Sequence, residues 1–295
     1  MKIYHHTDPD GWASAWICKK HFNEIWKDHE EGLVFIGIGY DFNGDFSNVK
    51  KNETVIIVDM SFKPEKFNEL LSITKNVIWI DHHKTILGKE YKQFSELMGI
   101  RSIEKAACNL TWDYFFTNQD PPRFIKLIGD YDIWKFEYGL ESRYFIDGCS
   151  IHDLTPNSDF WDNITGRIRH FFVKVIEEGK AVHQYKQFMC ERYLNNCSHT
   201  IELDGYIGLA VNVYGHGSDM FDSLSNNEKS EFQFYALYSF NGNNYCVSLR
   251  TDRNDMDVEK LAKNYGGGGH VKASGFHADV LPWKNIGKFV RENHG

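Results

Sequence analysis

Residues 76–84 read NVIWIDHHK, an uninterrupted apolar run that ends in one aspartate and two histidines. Residues 54–59 read TVIIVD, a second apolar run with an aspartate directly after it. Short continuous runs of this kind are typical of strands that are covered on both faces of a parallel sheet. In such sheets, functional side chains gather just beyond the carboxyl ends of the strands. The two segments therefore predict an α/β fold with a polar site at one edge of the sheet.

The alternation of strand and helix extends over the first two-thirds of the chain. Further strands are predicted at residues 2–5 and 33–38, and helices at residues 12–28, 62–71, 106–116 and 123–128. Residues 163–199 carry a long amphipathic pattern, which predicts a connector helix. The predicted organisation is thus a parallel-sheet domain at residues 1–162, the connector, and a smaller α/β domain at residues 200–295.

Composition and net charge indicate which kinds of binding partner are compatible with the chain. The chain has 295 residues, of which 42% are hydrophobic and 25% charged, as in ordinary globular proteins. Its 33 basic and 41 acidic residues give a net charge of -8. A protein that binds a long duplex needs an excess of Lys and Arg. Long duplex nucleic acid is therefore disfavoured as the main partner, whereas a small phosphorylated ligand is not.

Cysteine usage and hydropathy indicate the compartment. The six cysteines are scattered and match no zinc or redox spacing, so we expect reduced thiols. The N-terminal sequence has no apolar signal core, and no run of 18 apolar residues occurs. These observations predict a soluble cytoplasmic protein without a membrane partner.

The segment after the first predicted strand has the pattern of a metal site. His6, Asp8 and Asp10 alternate with other residues, and in an extended segment this period points all three side chains the same way. Asp59, from a neighbouring strand, can add a carboxylate that bridges two ions. His82 can add an imidazole.

A further carboxylate, Asp130, follows another apolar run and can close the same site. Carboxylates with one or two imidazoles, and no thiolate, suit Mn²⁺ or Mg²⁺ better than zinc or copper. Two such ions about 3.5–4 Å apart would acidify a bridging water and clamp the oxygens of a phosphoryl group. The residues therefore predict a two-metal centre for phosphoryl chemistry.

Five separated motifs carry a family resemblance. They are HTDPDGWASA at 6–15, VDMS at 58–61, DHH at 81–83, LIGDYD at 127–132 and GGGGHVKASGF at 266–276. In this order they resemble the DHH phosphoesterase superfamily. The tail is similar to the DHH-associated C-terminal domain that occurs in nanoRNases, cyclic-dinucleotide phosphodiesterases and single-strand exonucleases. The resemblance implies an active site in the cleft between a DHH domain and this smaller domain.

The resemblance also implies a role for each motif residue. The implied metal ligands are His6, Asp8, Asp10, Asp59, His82 and Asp130, with Asp59 between two Mn²⁺ ions, or Mg²⁺ or another divalent ion in their place. His5 competes with His6 as the upstream ligand, and Asp132 is an alternative to Asp130. Asp81 is expected to orient a histidine, and His83 to donate a proton to a phosphate oxygen or the leaving group.

In the smaller domain, the resemblance points to a glycine-rich substrate loop. Gly267, Gly268 and Gly269 would let the backbone approach a phosphate or terminal nucleotide, with His270 beside them. Arg250 would act as a phosphate fork. Ser218 and Lys272 are weaker candidates for substrate contact.

The implied function is a Mn²⁺-dependent phosphodiesterase that cleaves short oligonucleotides or dinucleotides with a metal-activated water. The alternatives are a phosphatase on phosphoadenosine phosphate or polyphosphate, and a non-catalytic nucleotide sensor. The glycine loop argues against the inorganic pyrophosphatase branch of the family. A homodimer is compatible with the aromatic content of the chain.

Overall fold

The chain forms two compact units, Met1–His183 and Gln184–Gly295. The computed structural model describes residues 1–26, 32–39 and 44–291. The boundary between the units falls inside one long helix, α7 (Phe171–Cys197). It therefore lies within the stretch that the sequence pattern predicts as a connector.

The first unit contains the parallel sheet that the apolar runs predict. Among the described residues, its strands are β1 (Lys2–His6), β2 (Val34–Ile38), β3 (Val55–Val58) and β4 (Val77–Ile80). All neighbours are parallel, in the order β2-β1-β3-β4. Every residue of β3 and β4 is buried, as expected for strands covered on both faces. The predicted α/β class with a parallel sheet is confirmed.

Helices cover both faces of this sheet. In the described ranges they are α1 (Pro9–Trp26), α2 (Pro64–Ile73), α3 (Ala107–Phe115), α4 (Arg123–Asp132), α5 (Leu140–Cys149) and α6 (Asp159–Asp162). Ile56 in β3 packs with Ala15 of α1 and Leu110 of α3, whereas the next residue, Ile57, packs with Phe67 of α2. The alternation along one strand thus divides the core into two layers. The last predicted residues of the first helix, 27 and 28, lie outside the described residues.

The connector helix begins later than the amphipathic pattern predicts. Asn163–Arg167 form a separate π-helical turn, in which Gly166 has a left-handed φ of 126°. This conformation ends the local helix, so α7 starts only at Phe171. Helical periodicity alone does not reveal such a break, because the apolar spacing continues through it.

The second unit is built on a mixed sheet. Its described strands are β5 (Ser198–Leu203), β6 (Tyr206–Asn212), β7 (Phe234–Phe240), β8 (Tyr245–Arg250), β9 (Gly268–His270), β10 (Ala273–Ala278) and β11 (Lys284–Lys288). Their order is β11-β5-β6-β7-β8-β10-β9, and only the β6–β7 pair is parallel among these strands. The short helices α8 (Asn226–Ser230) and α9 (Val258–Asn264) complete the unit. Within residues 266–270, the GGGGH stretch expected as a loop, Gly268–His270 instead form the edge strand β9.

Membrane insertion has no support from the helices. Within the described ranges, none of them combines the length and the apolar character that crossing a bilayer requires.

Two glycines allow α5 and α7 to touch through their backbones. A Cβ at Gly179 would lie 1.7 Å from the carbonyl oxygen of Tyr144, and one at Gly148 would lie 2.1 Å from that of Val175. Neither separation is sterically allowed, and backbone atoms cannot move aside as a flexible side chain can. Only glycine therefore fits at this crossing of the first unit.

We expect Gly179→Ala to lower the free energy of unfolding by about 2–3 kcal/mol, because the new methyl group forces the two helices apart. At an ordinary helix position the same substitution would stabilise the helix by about 1 kcal/mol. A loss of stability in Gly179→Ala would therefore report the close contact between the two helices. The measurement is urea unfolding, with Gly39→Ala as the control, since a Cβ at Gly39 meets nothing within 4 Å. A Gly179→Ala protein as stable as the wild type would contradict the crossing.

Candidate metal centre

The carboxyl ends of three neighbouring strands bring the predicted site residues to one edge of the first sheet. His5 of β1 pairs with Val58 of β3, and Val58 pairs with Ile80 of β4. The next residue of each strand, namely His6, Asp59 and Asp81, therefore follows at the same level of the sheet. Parallel pairing alone thus assembles groups that are more than 70 residues apart in the sequence.

Asp59 lies at the centre of this edge. It is 1% exposed and holds a left-handed φ of 59°, which a non-glycine residue adopts only at a cost. Its Oδ1 lies 3.2 Å from Nε2 of His82. Its Oδ2 is buried and has no hydrogen-bond partner. A buried carboxylate oxygen without a partner is costly, and a bound cation would remove that cost.

Asp8 and Asp10 are held by backbone amides at the start of two helices. Oδ1 of Asp8 accepts a hydrogen bond from the amide of Gly11 (2.9 Å), and its Oδ2 contacts Nδ1 of His6. The buried Asp10 accepts from the amides of Ala107 (2.8 Å) and Cys108 (2.7 Å) at the start of α3. The amides of a helix N-terminus are favourable partners for a carboxylate, and here they fix the orientation of Asp10.

His82 contacts carboxylates from three separate segments. Its Nε2 lies 3.2 Å from Asp59, 3.4 Å from Oδ2 of Asp132 and 3.7 Å from Oδ2 of Asp10. Burial lowers the pKa of His82 and outweighs the neighbouring carboxylates, which favours a neutral imidazole. A neutral imidazole is the form that binds a metal.

Three sets of ligand atoms lie within 4.8 Å of one another in the described part of the chain. They are His6–Asp8–Asp59, Asp10–His82–Asp132 and Asp59–His82–His83. Asp59 belongs to two of these sets. His5 belongs to none of them: its Nδ1 instead approaches the carbonyl oxygen of His6 (2.8 Å). The structure therefore favours His6 over His5 as the upstream ligand.

The structure favours Asp132, rather than Asp130, as the ligand from α4. Asp130 accepts hydrogen bonds from the amides of Glu137 (2.8 Å) and Tyr138 (3.3 Å) and from the hydroxyl of Ser142. Residues two apart on a helix are about 200° apart around its axis, so the two carboxylates face opposite ways. Asp130 thus anchors the following loop, and the choice between Asp130, which the resemblance implies, and Asp132 stays a prediction.

Asp81 and His83 form a pair beside the cluster. Oδ1 of the fully buried Asp81 accepts from Nδ1 of His83 (2.8 Å) and from the amides of His82 and His83. Burial lowers the pKa of His83, but the hydrogen bond and the charge of Asp81 outweigh it, so the pKa is raised overall. The pairing orients the ring and leaves Nε2 as the nitrogen that can interact with a substrate.

The buried carboxylates repel one another, and this repulsion shows how well the site suits a cation. Burial first, and then the charges of Asp10 and Asp8, raise the pKa of both Asp59 and Asp132 well above the ordinary value. Oδ2 of Asp132, like that of Asp59, is buried without a hydrogen-bond partner. A divalent cation would relieve the repulsion and satisfy both oxygens. The residues present therefore fit a metal centre.

In the second unit, Arg250 and His270 share one face of the sheet. Arg250 of β8 pairs with Ala273 of β10, which pairs with His270 of β9. Directly opposed residues of antiparallel strands point to the same side, so the two cationic or polar side chains flank a small alanine. Gly267 is required beside them, because a Cβ there would lie 2.0 Å from the carbonyl oxygen of Gly275.

The other predicted substrate contacts of the second unit have different surroundings. Gly268 has open space where a Cβ would project, and Gly269 holds a φ of 144°. Nζ of Lys272 contacts the carbonyl oxygen of Arg253 and Oδ1 of Asn254 (3.1 Å). The side chain of Ser218 lies outside the described part of the structure.

The sequence also resembles known proteins. No family model matches the chain. Oligoribonuclease NrnB of Bacillus subtilis is 24% identical over 306 residues, covering 92% of this chain and 71% of that protein. An uncharacterized protein of Acanthamoeba polyphaga mimivirus is 25% identical over 287 residues, covering 92% of this chain and 66% of that protein. The chain thus spans about two thirds of the length of these relatives.

Solved structures show the same fold. The DHH domain of a member of a ribosomal protein family has a TM-score of 0.56 at 13% identity, covering 94% of this chain and 82% of that one. The pGpG-specific phosphodiesterase PggH of Vibrio cholerae has a TM-score of 0.55 at 13% identity, covering 95% and 93%. Exonuclease RecJ bound to manganese has a TM-score of 0.51 at 13% identity, covering 94% and 85%. The chain therefore has the fold of these solved structures, one of which is a DHH domain.

Proposed function

We propose that the chain is a metal-dependent phosphodiesterase that cleaves short oligonucleotides or dinucleotides. The observation that carries the proposal is the group of carboxylates and imidazoles at the sheet edge, where one buried oxygen each of Asp59, Asp81 and Asp132 has no hydrogen-bond partner. The names of two similar proteins support the substrate class, since one is an oligoribonuclease and the other a pGpG-specific phosphodiesterase. The net charge of -8 supports a small substrate over a long strand.

The proposed cofactor is a pair of Mn²⁺ ions, with Mg²⁺ as the alternative. One ion would be held by His6, Asp8 and Asp59, and the other by Asp10, His82 and Asp132. Asp59 would be shared by both ions, because its Oδ1 also lies 3.2 Å from Nε2 of His82. Oxygen and imidazole ligands without thiolate suit these ions, and RecJ was solved with manganese bound. Bound cations would polarise a phosphoryl group and lower the pKa of water.

His83 is the proposed proton donor to the leaving oxygen. Asp81 fixes its Nδ1 and favours the protonated ring, so Nε2 carries a proton that it can give up. His83 is 40% exposed at its side chain, which leaves the ring accessible to a substrate. Asp81 contributes by orienting the ring.

In the second unit, the proposed substrate contacts are Arg250, His270 and the backbone of Gly267–Gly269. Arg250 and His270 lie on one face of the sheet, where they can bind a phosphate or the terminal nucleotide. Ser218 and Lys272 stay predictions, as do an active site between the two domains, a homodimer and a cytoplasmic location.

We expect Asp59→Asn to fold normally but to lose turnover by about 100-fold or more. Loss of a residue that only supports a metal ligand costs about 10–100-fold, and Asp59 would contact both ions directly. Steady-state cleavage of a diribonucleotide with Mn²⁺ measures the effect. Asp159→Asn is the control for the same chemical change, since the side chain of Asp159 is 81% exposed.

The same variant separates metal binding from catalysis. Mn²⁺ at about 100 times its dissociation constant should stabilise the wild type by about 2.7 kcal/mol, and Asp59→Asn should lose most of this increment. Without metal, Asp59→Asn should be at least as stable as the wild type, because the substitution removes a buried charge repelled by its neighbours. Thermal unfolding with Mn²⁺ and with a chelator gives both values. An undiminished Mn²⁺ increment would exclude Asp59 as a ligand.

The two aspartates of α4 should give opposite phenotypes. Asp132→Asn should abolish Mn²⁺ stabilisation and turnover while the metal-free protein stays folded. Asp130→Ala should instead lower the unfolding free energy by about 2–4 kcal/mol, because two amides and a hydroxyl lose their acceptor. Unfolding and activity measured side by side distinguish them, and the reverse pattern would restore Asp130 as the ligand.

Substrate length provides a further test. We expect kcat/KM to be highest for oligoribonucleotides of two to five units, and to fall steeply for strands of about 20 units, because a chain of this charge offers few phosphate contacts. A labelled length series with Mn²⁺ measures this, with phosphoadenosine phosphate and polyphosphate as competing substrates. Efficient degradation of the long strands would overturn the substrate class, and turnover of polyphosphate alone would favour a phosphatase.

A further inference from the structure

Three neighbouring strands of the second unit, β8, β10 and β9, are covered by α9 on one face of their sheet. The buried side chains of Val247, Leu249 and Phe276 form a core cluster with Leu261 of that helix. Successive side chains of a strand point to opposite faces, so the residues between these positions point away from α9. We call this second side of the three strands the open face.

The strand pairings arrange the residues of the open face in three rows. Directly opposed residues of antiparallel strands point to the same side, so each row belongs to one face. The rows are Arg250–Ala273–His270, Ser248–Gly275–Gly268 and Cys246–His277. Exposed side chains occur in all three rows, at His270, Ser248 and His277. The open face thus carries larger polar groups in its first and third rows and small residues between them.

The open face is longer than a dinucleotide. Its first and third rows are about 14 Å apart, because Arg250 and Cys246 lie four residues apart on β8 and each residue of an antiparallel strand advances about 3.4 Å. Phosphates of a stacked strand follow one another at about 3.4 Å, so the two rows correspond to phosphates about four nucleotides apart. A dinucleotide therefore cannot contact both rows at once.

Hydrogen bonds determine which ring nitrogen of His277 carries the proton. Oδ1 of Asn241 accepts from the amides of Asn243 (2.9 Å) and Asn244 (3.0 Å). Its Nδ2 is therefore the atom that donates to Sγ of Cys246 (3.3 Å). The thiol of Cys246 in turn donates to Nδ1 of His277, 3.4 Å away. Since Nδ1 serves as an acceptor, Nε2 carries the proton and is a hydrogen-bond donor on the open face.

We propose that His277 binds a substrate phosphate that is several nucleotides away from the phosphate at Arg250 and His270. This inference rests on the proposed function, because it assumes that oligonucleotides are the substrate. An N–H group is the donor that a phosphate oxygen accepts from, and phosphate contacts carry no sequence information. His277 would therefore favour longer substrates over dinucleotides without selecting a base. Cys246 is a positioning residue, because it acts only through the ring of His277.

The test compares a diribonucleotide with pentaribonucleotides of adenylate and of uridylate. Steady-state cleavage with Mn²⁺ gives kcat and KM for the wild type and for His277→Ala. In His277→Ala, KM for both pentanucleotides should rise by about 10-fold, as expected for the loss of one hydrogen bond to a charged group. Their kcat, and both constants for the diribonucleotide, should change by less than about twofold.

Dissociation constants give a second readout that does not require cleavage. They are measured by calorimetry with a chelator present, and His277→Ala should weaken pentanucleotide binding by about the same factor of 10. His277→Gln should retain most of the affinity, because its amide group can also donate. Cys246→Ser should match the wild type, since a hydroxyl can donate to Nδ1, whereas Cys246→Ala should weaken the binding of pentanucleotides alone.

Lys284→Ala is the control for removal of an exposed polar side chain from the same sheet. Lys284 belongs to β11, which is five strands from β10 and therefore about 24 Å away along the sheet. It should change each constant by less than about twofold. A thermal unfolding midpoint for each variant verifies the fold, and His277→Gln and Cys246→Ala serve as the informative pair if His277→Ala is unstable.

The outcomes separate the two proposals. An equal change for both lengths in His277→Ala, unchanged constants for the pentanucleotides, or a loss confined to one base would overturn the role of His277. Equal affinity of the wild type for the two lengths would also overturn it. Absence of oligonucleotide cleavage by the wild type would refute the proposed function, while binding with a chelator would still decide whether His277 contacts a longer strand. If the wild type neither cleaves nor binds the pentanucleotides, both proposals fail.

Discussion

Crowding of negative charge at one edge of a parallel sheet is the constraint on which the site depends. Asp8, Asp10, Asp59 and Asp132 converge there, and burial together with their mutual repulsion raises the pKa of the last two. Amides of Gly11 and of the α3 N-terminus offset part of the repulsion, but Asp59 retains an oxygen without a partner. The protein thus maintains a locally unfavourable arrangement that the remaining core must support.

The first sheet could be predicted from the sequence because its central strands are buried on both faces. Continuous runs such as 54–58 and 76–80 have no other common explanation at that length. The strand β9 carried no such signal, since it consists of glycine and histidine and lies at a sheet edge. Its conformation is set by pairing with β10, a contact that local sequence does not encode.

Some residues of the candidate site could likewise be predicted from the sequence, and others could not. Ligands that directly follow strands could be predicted, because the end of an apolar run fixes their place. The choice between Asp130 and Asp132 depends on the rotational phase of α4, and the motif contains both residues.

The geometry of α4 has a thermodynamic consequence. One face of its last turn directs Asp132 towards the cluster, while Asp130 on the other face holds the loop that follows the helix. A cation that fixes the end of this helix would therefore also order the loop. Binding free energies are reciprocal, so an already ordered loop would tighten the cation by the same factor. Cation binding and the order of this loop would then be coupled through a single turn of helix.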